Sequence, residues 1–293
     1  MFVVLGANGR AGGETAAALI AMGKPVRVVV RKQEHVDRWR QSGAELAIAD
    51  IDDEARLTGA LNNATGAFLL CPPPSSGDPY KRADEVGRAL ANAVHKAQVP
   101  KIAVLSSIGA QHETGTGVIA TLNTLEKHLR GSAPSTTFLR PGYFVETWSE
   151  MAETVTTEGV LPSFLELTQR VPMVSTQDVG RAAAQLLSDK FSGDRIVELR
   201  GAQDWSSNDV AAAFAQVLGR PVKPVFIPRE DRLAILAQGG VPLIVAEALL
   251  GMYEGIANGR VEHDESAEQR RGDVALLDTV GRMMSGSRHA QLA

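Results

Sequence analysis

The stretch Phe2-Val3-Val4-Leu5-Gly6-Ala7-Asn8-Gly9-Arg10-Ala11-Gly12-Gly13 constrains this chain more than any other. Four apolar residues read as a buried strand, glycines follow at every third position, and the alanine-rich Glu14–Met22 has the composition of a helix packed closely on a sheet. Gly6 permits a sharp strand-to-helix turn, and Gly9 lets backbone N–H groups approach an anion. Gly12 lets the helix lie against its strand, so that the positive end of the helix faces the same anion. The pyrophosphate of a dinucleotide is the ligand such a turn serves best; a merely tight strand-to-helix turn is the plainer alternative.

Short apolar runs alternate with helical patterns through the first half, which predicts repeated βαβ units and a parallel sheet. The runs are Phe2–Leu5, Val26–Val30, Glu45–Ala49, Ala67–Leu70, Ile102–Leu105 and Thr137–Leu139, with helices expected at Gly12–Met22, Asp53–Asn62, Tyr80–Gln98 and Ile119–Arg130. This order predicts an α/β fold with a Rossmann-like doubly wound parallel sheet, whose ligand crevice lies beyond the carboxyl ends of the strands. After Pro141 the rhythm loosens. Thr176-Gln177-Asp178 reads as the N-cap of a helix over Val179–Leu187, and Arg195–Leu199 as a strand, so this pair is expected to return to the main sheet. Ser206 or Ser207 caps a helix over Val210–Leu218, and prolines 221, 224 and 228 precede a helical, apolar stretch from Leu233 to Ile256. The expected division is a nucleotide-binding domain over residues 1–150, joined by 171–200, and a smaller C-terminal α/β lobe from 151–170 and 201–293 that ends in a frayed tail from Ser285 to Ala293.

Composition removes several classes of function. The single cysteine, Cys71, excludes an internal disulfide and a multi-cysteine zinc site, and it fits a reducing compartment. A net charge of −4 with both signs interspersed gives no electrostatic reason to expect nucleic acid or an anionic membrane as partner. No basic leader precedes the first strand, so a cytoplasmic location is expected. The apolar stretches Leu57 to Gly77 and Leu233 to Ala246 are cut by asparagine, glycine and proline and make poor membrane spans. The six histidines show no metal-binding spacing, and neither a G-x-S-x-G elbow around Ser107 nor a G-x-x-x-x-G-K-[ST] phosphate loop is present.

At the end of the second strand, where a reader of a ribose 2′-hydroxyl would carry Asp or Glu, stand Arg31 and Lys32. Two cations there suit a 2′-phosphate, which favours NADP(H) over NAD(H). Otherwise they are solvated loop charges, partly neutralised by Glu34.

Taken together, Gly6 to Gly13, Val30-Arg31, Ala49-Asp50, Leu105-Ser106-Ser107-Ile108-Gly109-Ala110 and Phe138-Leu139-Arg140-Pro141-Gly142-Tyr143-Phe144 look like the NmrA-like family of atypical short-chain dehydrogenases/reductases. A looser match runs from Val171 to Gly180. The family includes NAD(P)H-dependent quinone and triphenylmethane dye reductases, and also dinucleotide-binding redox sensors without known turnover. The resemblance implies that Gly6, Asn8, Gly9, Arg10, Ala11 and Gly12 surround the pyrophosphate and that Arg31 and Lys32 meet the 2′-phosphate. It sets Asp50 and Ile51 beside the adenine, although Asp50 reads equally as a helix N-cap. Cys71 and Pro72 would lie along the nicotinamide ribose, with the Cys71 thiol otherwise that of a buried strand cysteine, and Ser106, Pro141 and Tyr143 complete the implied cofactor set. Ser106 and Ser107 end the fifth strand, where the wider superfamily orients a substrate carbonyl; capping of the strand end is their other reading.

The departure from the superfamily is as informative as the match. Its usual Tyr-x-x-x-Lys pair, which gives a proton to a developing alkoxide, is absent: four places after Tyr80, Tyr143 and Tyr253 stand Asp84, Thr147 and Ala257. Registering Glu126-Lys127-His128-Leu129 with the end of the family's helix puts Val118 and Leu122 at the two positions. Hydride addition to an ordinary ketone makes a strongly basic alkoxide and needs such a donor, whereas addition to a quinone or cationic dye makes a delocalised or neutral product that solvent can protonate. Quinone-like acceptors, or no reaction at all, are therefore the coherent choices.

An acceptor pocket is expected from Pro72–Tyr80, Ile108–Gly117, Gly142–Met151 and the C-terminal helical stretch, with Tyr80, Tyr143, Phe144, Trp148, Met252 and Tyr253 as a lining suited to a flat apolar molecule. Core packing is the plainer role for each ring. Ser107, His112 and Tyr143 are the catalytic candidates, His112 reading otherwise as a solvated loop side chain. Two functions remain: an NADPH-dependent oxidoreductase, or a sensor whose Pro72–Tyr80 and Ile108–Gly117 loops move with redox state and alter contact with a regulatory protein or a second copy. Arg31→Glu is expected to weaken NADPH binding far more than NADH binding in fluorescence titrations, and equal losses would remove the 2′-phosphate role.

Overall fold

Strands buried on both faces need helices on both sides, and the chain supplies them between most of its strands. The computed structural model describes residues 1–32, 39–72 and 75–290, with side chains described through residue 285. The first half runs β1 (Phe2–Leu5), α1 (Arg10–Ala21), β2 (Val26–Val30), β3 (Glu45–Ile48), α2 (Glu54–Leu61), β4 (Gly66–Leu69), α3 (Pro79–Lys96), β5 (Lys101–Leu105), α4 (Ala120–Leu129) and β6 (Ser135–Pro141). The second runs β7 (Tyr143–Phe144), α5 (Ala152–Glu158), β8 (Val160–Ser163), β9 (Met173–Val174), α6 (Thr176–Ser188), β10 (Gly193–Arg200), α7 (Ser207–Leu218), β11 (Lys223–Phe226), α8 (Arg229–Gln238), α9 (Leu243–Ala257), β12 (Glu268–Arg271) and α10 (Leu276–Ala290).

Eight strands form one sheet in the order β12-β10-β6-β5-β4-β1-β2-β3, every neighbouring pair parallel. The order reverses between β1 and β4, so the crevice beyond their carboxyl ends is the switch point of a doubly wound sheet. Successive residues of β1 divide between the faces as strand periodicity requires: Val4 packs with Leu19, Phe68, Ala183 and Leu187, while Val3 and Leu5 pack with Leu57, Leu90, Ile102 and Phe138. A third core, including Trp148, Val155, Phe214 and Val280, holds the second half of the chain together.

Several expectations need correction. The cap of α6 is Ser175, whose hydroxyl accepts the Gln177 N–H, rather than the Thr176-Gln177-Asp178 run. Asp178 is buried and receives the N–H groups of Asp273 and Val274 at 3.3 and 3.1 Å, which fixes the entry to α10. The apolar stretch from Leu233 is two helices: Gly240, at φ +78°, and Pro242 stop α8 and start α9. Strand β12, from the stretch expected in the smaller lobe, completes the edge of the main sheet beside β10. Helix α10 runs on to Ala290, past the Ser285 at which a frayed tail is expected; residues 291–293 lie outside the described residues.

Beneath the ends of β5 and β6 lies a buried ionic network. Arg140 grips both carboxylate oxygens of Glu126 at 2.8 and 2.7 Å, and reaches Asp264 at 3.1 Å. Glu198 in turn accepts the Asp264 N–H at 3.0 Å and the Gln269 amide at 2.9 Å. The network ties α4, β6 and β10 to the segment leading into β12. Removing one member leaves the other charge buried, which is far worse than never having buried the pair. Glu126→Leu is expected to lower unfolding free energy by about 3–5 kcal/mol in urea titrations, with Glu126→Leu/Arg140→Met recovering part of the loss; a single-variant loss below about 1 kcal/mol would show that the pair is not a structural tie.

Candidate active site

The crevice is built from the glycine turn upward. Gly6 sits at φ +63°, the left-handed region, and its carbonyl accepts the Gly9 N–H at 2.8 Å. Gly9 caps α1 with no side-chain partner, and the first backbone bond into the helix is Gly13 N–H to Gly9 O at 3.0 Å. The N–H groups before that bond have no intrahelical acceptor, so they are available to an anion. A Cβ on Gly12 would lie 2.3 Å from the Gly6 oxygen and 2.8 Å from the Leu5 oxygen, closer than any side chain tolerates. The close approach of α1 to β1 thus demands glycine. One on Gly6 would meet Leu70, just after β4, at 2.8 Å, which places the turn at the switch point.

Around this turn the other expected cofactor residues are placed as follows. Arg10 leaves the turn to bond Ser149 at 3.2 Å and Glu150 at 3.3 Å, on the 3₁₀ helix Val145–Met151 that follows β7. Asn8 accepts the indole N–H of buried Trp39 at 2.9 Å, a partner whose polar neighbours give no sequence signal. Arg31 and Lys32 are exposed at the carboxyl end of β2; Glu34 lies outside the described residues. Asp50 follows β3 and accepts the Asp52 N–H at 3.1 Å, but it does not cap α2: Asp53 does, accepting the Arg56 N–H at 3.0 Å. Ile51 and Cys71 both pack at the edge of the same core face. Of the proline run, Pro72 is half-buried, and residues 73 and 74 lie outside the described residues.

The two serines after β5 diverge. The Ser106 hydroxyl is buried and donates to Glu126 at 2.5 Å, which joins it to the ionic network. The Ser107 hydroxyl is half-buried and donates to the Ile108 carbonyl at 3.0 Å. The loop from Ile108 to Gly117 is anchored throughout: Gln111 donates to Glu262 O at 3.0 Å, Asn123 to Ala110 O at 2.8 Å, and Lys127 pairs with Glu113 at 2.5 Å. Gly117, at φ +53°, is pressed onto α9 so closely that a Cβ would stand 2.2 Å from the Met252 nitrogen and 2.3 Å from the Ala248 oxygen. His112 is half-buried rather than fully solvated. Its Nε2 is buried without a hydrogen-bond partner among the described residues, as are Thr116 Oγ1 and Trp148 Nε1.

The close approach of α9 to this loop carries Tyr253 to Tyr143. Their hydroxyls are 3.2 Å apart and their rings 6.5 Å, with Trp148 6.2 Å from Tyr143 and Phe164 edge-on to Tyr253 at 5.3 Å. Burial, then Tyr253, pushes the Tyr143 phenol well above its usual range, Glu150 adding to the effect and Arg10 opposing it; burial also raises Tyr253. Both remain neutral hydrogen-bonding groups at physiological pH. Phe144 packs instead against the sheet core and leaves the expected lining, while Tyr80 stands exposed at the start of α3. Val118 and Leu122 lie on the 3₁₀ turn Gly117–Ile119 and the first turn of α4, where neither can move a proton. Among the described residues no group of three or more His, Cys, Asp or Glu could hold a metal, and no helix is long and apolar enough to cross a membrane.

Comparison with known proteins bears on this crevice. A family model described as "NmrA-like family" matches residues 1–276. The chain is 24% identical over 254 residues to the NAD(P)H azoreductase of Xenophilus azovorans, covering 86% of each, and 26% identical over 266 residues to quinone oxidoreductase 2 of Escherichia coli, covering 90% of this chain and 91% of that one. Its fold matches the triphenylmethane reductase of Citrobacter sp. with a TM-score of 0.79 at 19% identity, over 97% of this chain and 99% of the other. It matches the E. coli NADPH-dependent quinone oxidoreductase complexed with NADPH with a TM-score of 0.75 at 24% identity, over 99% and 100%.

Burial, opposed by Arg82, raises the Cys71 thiol from 9.0 to about 11. Relative to the unfolded chain, the folded chain is therefore expected to hold about a hundredfold less thiolate at pH 8. Iodoacetamide should label native Cys71 correspondingly slowly at pH 8, the rate climbing about tenfold per pH unit and levelling off only near pH 11; native labelling as fast as denatured labelling at pH 8 would contradict the burial.

Proposed function

Because the chain belongs to the NmrA-like family, we propose that it is an NAD(P)H-dependent oxidoreductase that passes hydride from NADPH directly to a quinone-like or other apolar aromatic acceptor. The observation that carries this reading is the meeting, at one crevice, of a glycine turn shaped for a pyrophosphate with the aromatic face of Tyr143, Trp148 and Tyr253. Arg10 joins the two, bonding the 3₁₀ helix that carries Trp148. The relatives agree in kind: an azoreductase, a quinone oxidoreductase and a triphenylmethane reductase.

In this reading the first-turn N–H groups of α1 hold the pyrophosphate, Arg31 and Lys32 the 2′-phosphate, and Asp50 with Ile51 the adenosine. Cys71, Pro72, Ser107, Pro141 and Tyr143 border the nicotinamide end. NADPH bound there would supply the hydride. The protein's contribution is orientation and exclusion of water, more than proton transfer. Tyr143, tethered by Tyr253, can donate a hydrogen bond to an acceptor oxygen, and solvent completes protonation of a delocalised product. Residues 1–150 with 171–200 and the edge strand β12 then serve as the nucleotide-binding domain and the remainder as the acceptor lobe.

A dinucleotide sensor is the second reading, favoured by the apolar Val118 and Leu122 where a proton donor would stand. The anchoring of the Ile108–Gly117 loop to α4 and α9 argues against that loop as the moving part. Incubation of NADPH with a quinone panel, followed by NADPH absorbance, separates the two: turnover above buffer is expected, and binding without turnover would leave the sensor. In the enzyme, Tyr143→Phe is expected to raise KM for a quinone about three- to tenfold, the range for losing one hydrogen bond; an unchanged KM would remove Tyr143 from the site.

A further inference from the structure

Arg232, in α8, is 7% exposed, yet it lacks the partners that a buried cation requires. Its Nε donates to the Ile227 carbonyl at 3.0 Å, and its guanidinium stands over two phenylalanine rings, 5.0 Å from the Phe226 centroid and 5.4 Å from that of Phe164. Among the described residues its two terminal nitrogens make no hydrogen bond or ion pair. Burial, and then the neighbouring Arg229, lowers its pKa; Glu166, Glu254 and Tyr253 oppose this from beyond ion-pair distance. Glu254 is paired with Arg229, and Glu166 is exposed. The other buried arginine of comparable burial, Arg140, is neutralised by Glu126 and Asp264. Among the described residues, Arg232 is the buried arginine whose terminal fork of donors has no partner and faces aromatic rings, a setting in which a charge-assisted bond is strong.

That fork lies at one end of a continuous line of rings. Phe164 links Arg232 to Tyr253 at 5.3 Å, and Tyr253 bonds Tyr143. Tyr143, Tyr253, Phe164 and Phe226 are all half-buried, so each ring keeps part of its surface exposed. We propose that Arg232 anchors an anionic substituent of the aromatic acceptor, a carboxylate, sulfonate or phosphate held by paired hydrogen bonds from its two terminal nitrogens. The proposal rests on the reading of Tyr143 and Tyr253 as the acceptor's wall, and it narrows the substrate class to flat aromatic molecules bearing an acidic group. The planar fork of arginine matches such a group in a way that a lysine does not.

The test uses binding, so that it does not depend on turnover. Calorimetric titration of the full chain with naphthalene-2-sulfonate and with the neutral naphthalene-2-sulfonamide is expected to favour the sulfonate by about tenfold or more. Arg232→Met should remove that preference while leaving sulfonamide and NADPH affinity within about twofold. Equal affinity for the two probes in the wild type, or equal weakening of both in the variant, would overturn the proposal and leave Arg232 a structural prop. If Arg232→Met does not fold, Arg232→Lys serves: a sulfonate affinity reduced alone supports the anchor, and an unchanged one overturns it. Lack of quinone turnover with the sulfonate preference intact would remove the hydride-transfer reading and leave the anion site standing.

Discussion

The approach of α1 to the end of β1, too close for any Cβ at Gly12, is the contact on which the crevice depends. It points the open end of the helix at the switch point, where two strands diverge and leave room for a ligand. It also sets where Arg10 departs, and through Arg10 the turn is tied to the 3₁₀ helix that carries Trp148. One steric requirement thereby positions the open end of a helix and, at one remove, a cluster of aromatic rings.

A second contact of the same kind works from the other side. Gly117 against Met252 and Ala248 lets α9 sit on the loop after β5, and this brings Tyr253 to Tyr143. Glycine-to-backbone packing leaves little space between the loop and α9. The two buried arginines among the described residues show what different surroundings make of one side chain. Arg140 sits among carboxylates and holds the fold, whereas Arg232 sits among aromatic rings with donors to spare.

Much of the sheet was legible in the sequence because parallel strands covered on both faces read as unbroken apolar runs, as in Val26–Val30 and Ile102–Leu105. The short β7, β8, β9 and β11 carry too few residues for a period to show, and β12 is Glu-Gln-Arg-Arg, an edge strand with no apolar signal. Caps were legible in kind and misplaced in position, at Ser175 and Asp53, because neighbouring polar residues compete for one role. In the site, the glycine turn and the cations after β2 stood out by spacing. The bonds of Ser106 to Glu126, Asn8 to Trp39 and Tyr143 to Tyr253 join residues 20, 31 and 110 positions apart, and no local pattern encodes such pairings.

By itself the sequence determined the alternation of strands and helices, the glycine turn and the absence of a Tyr-x-x-x-Lys pair, because each depends on residue type at fixed short spacing. Only the tertiary structure decided which serine is consumed by a buried carboxylate and, among the described residues, that His112 Nε2 is buried without a partner and that an arginine in α8 has no counter-charge at the end of a line of rings. Those outcomes follow from burial and long-range contact, which set the state of a polar group only once the chain has closed around it.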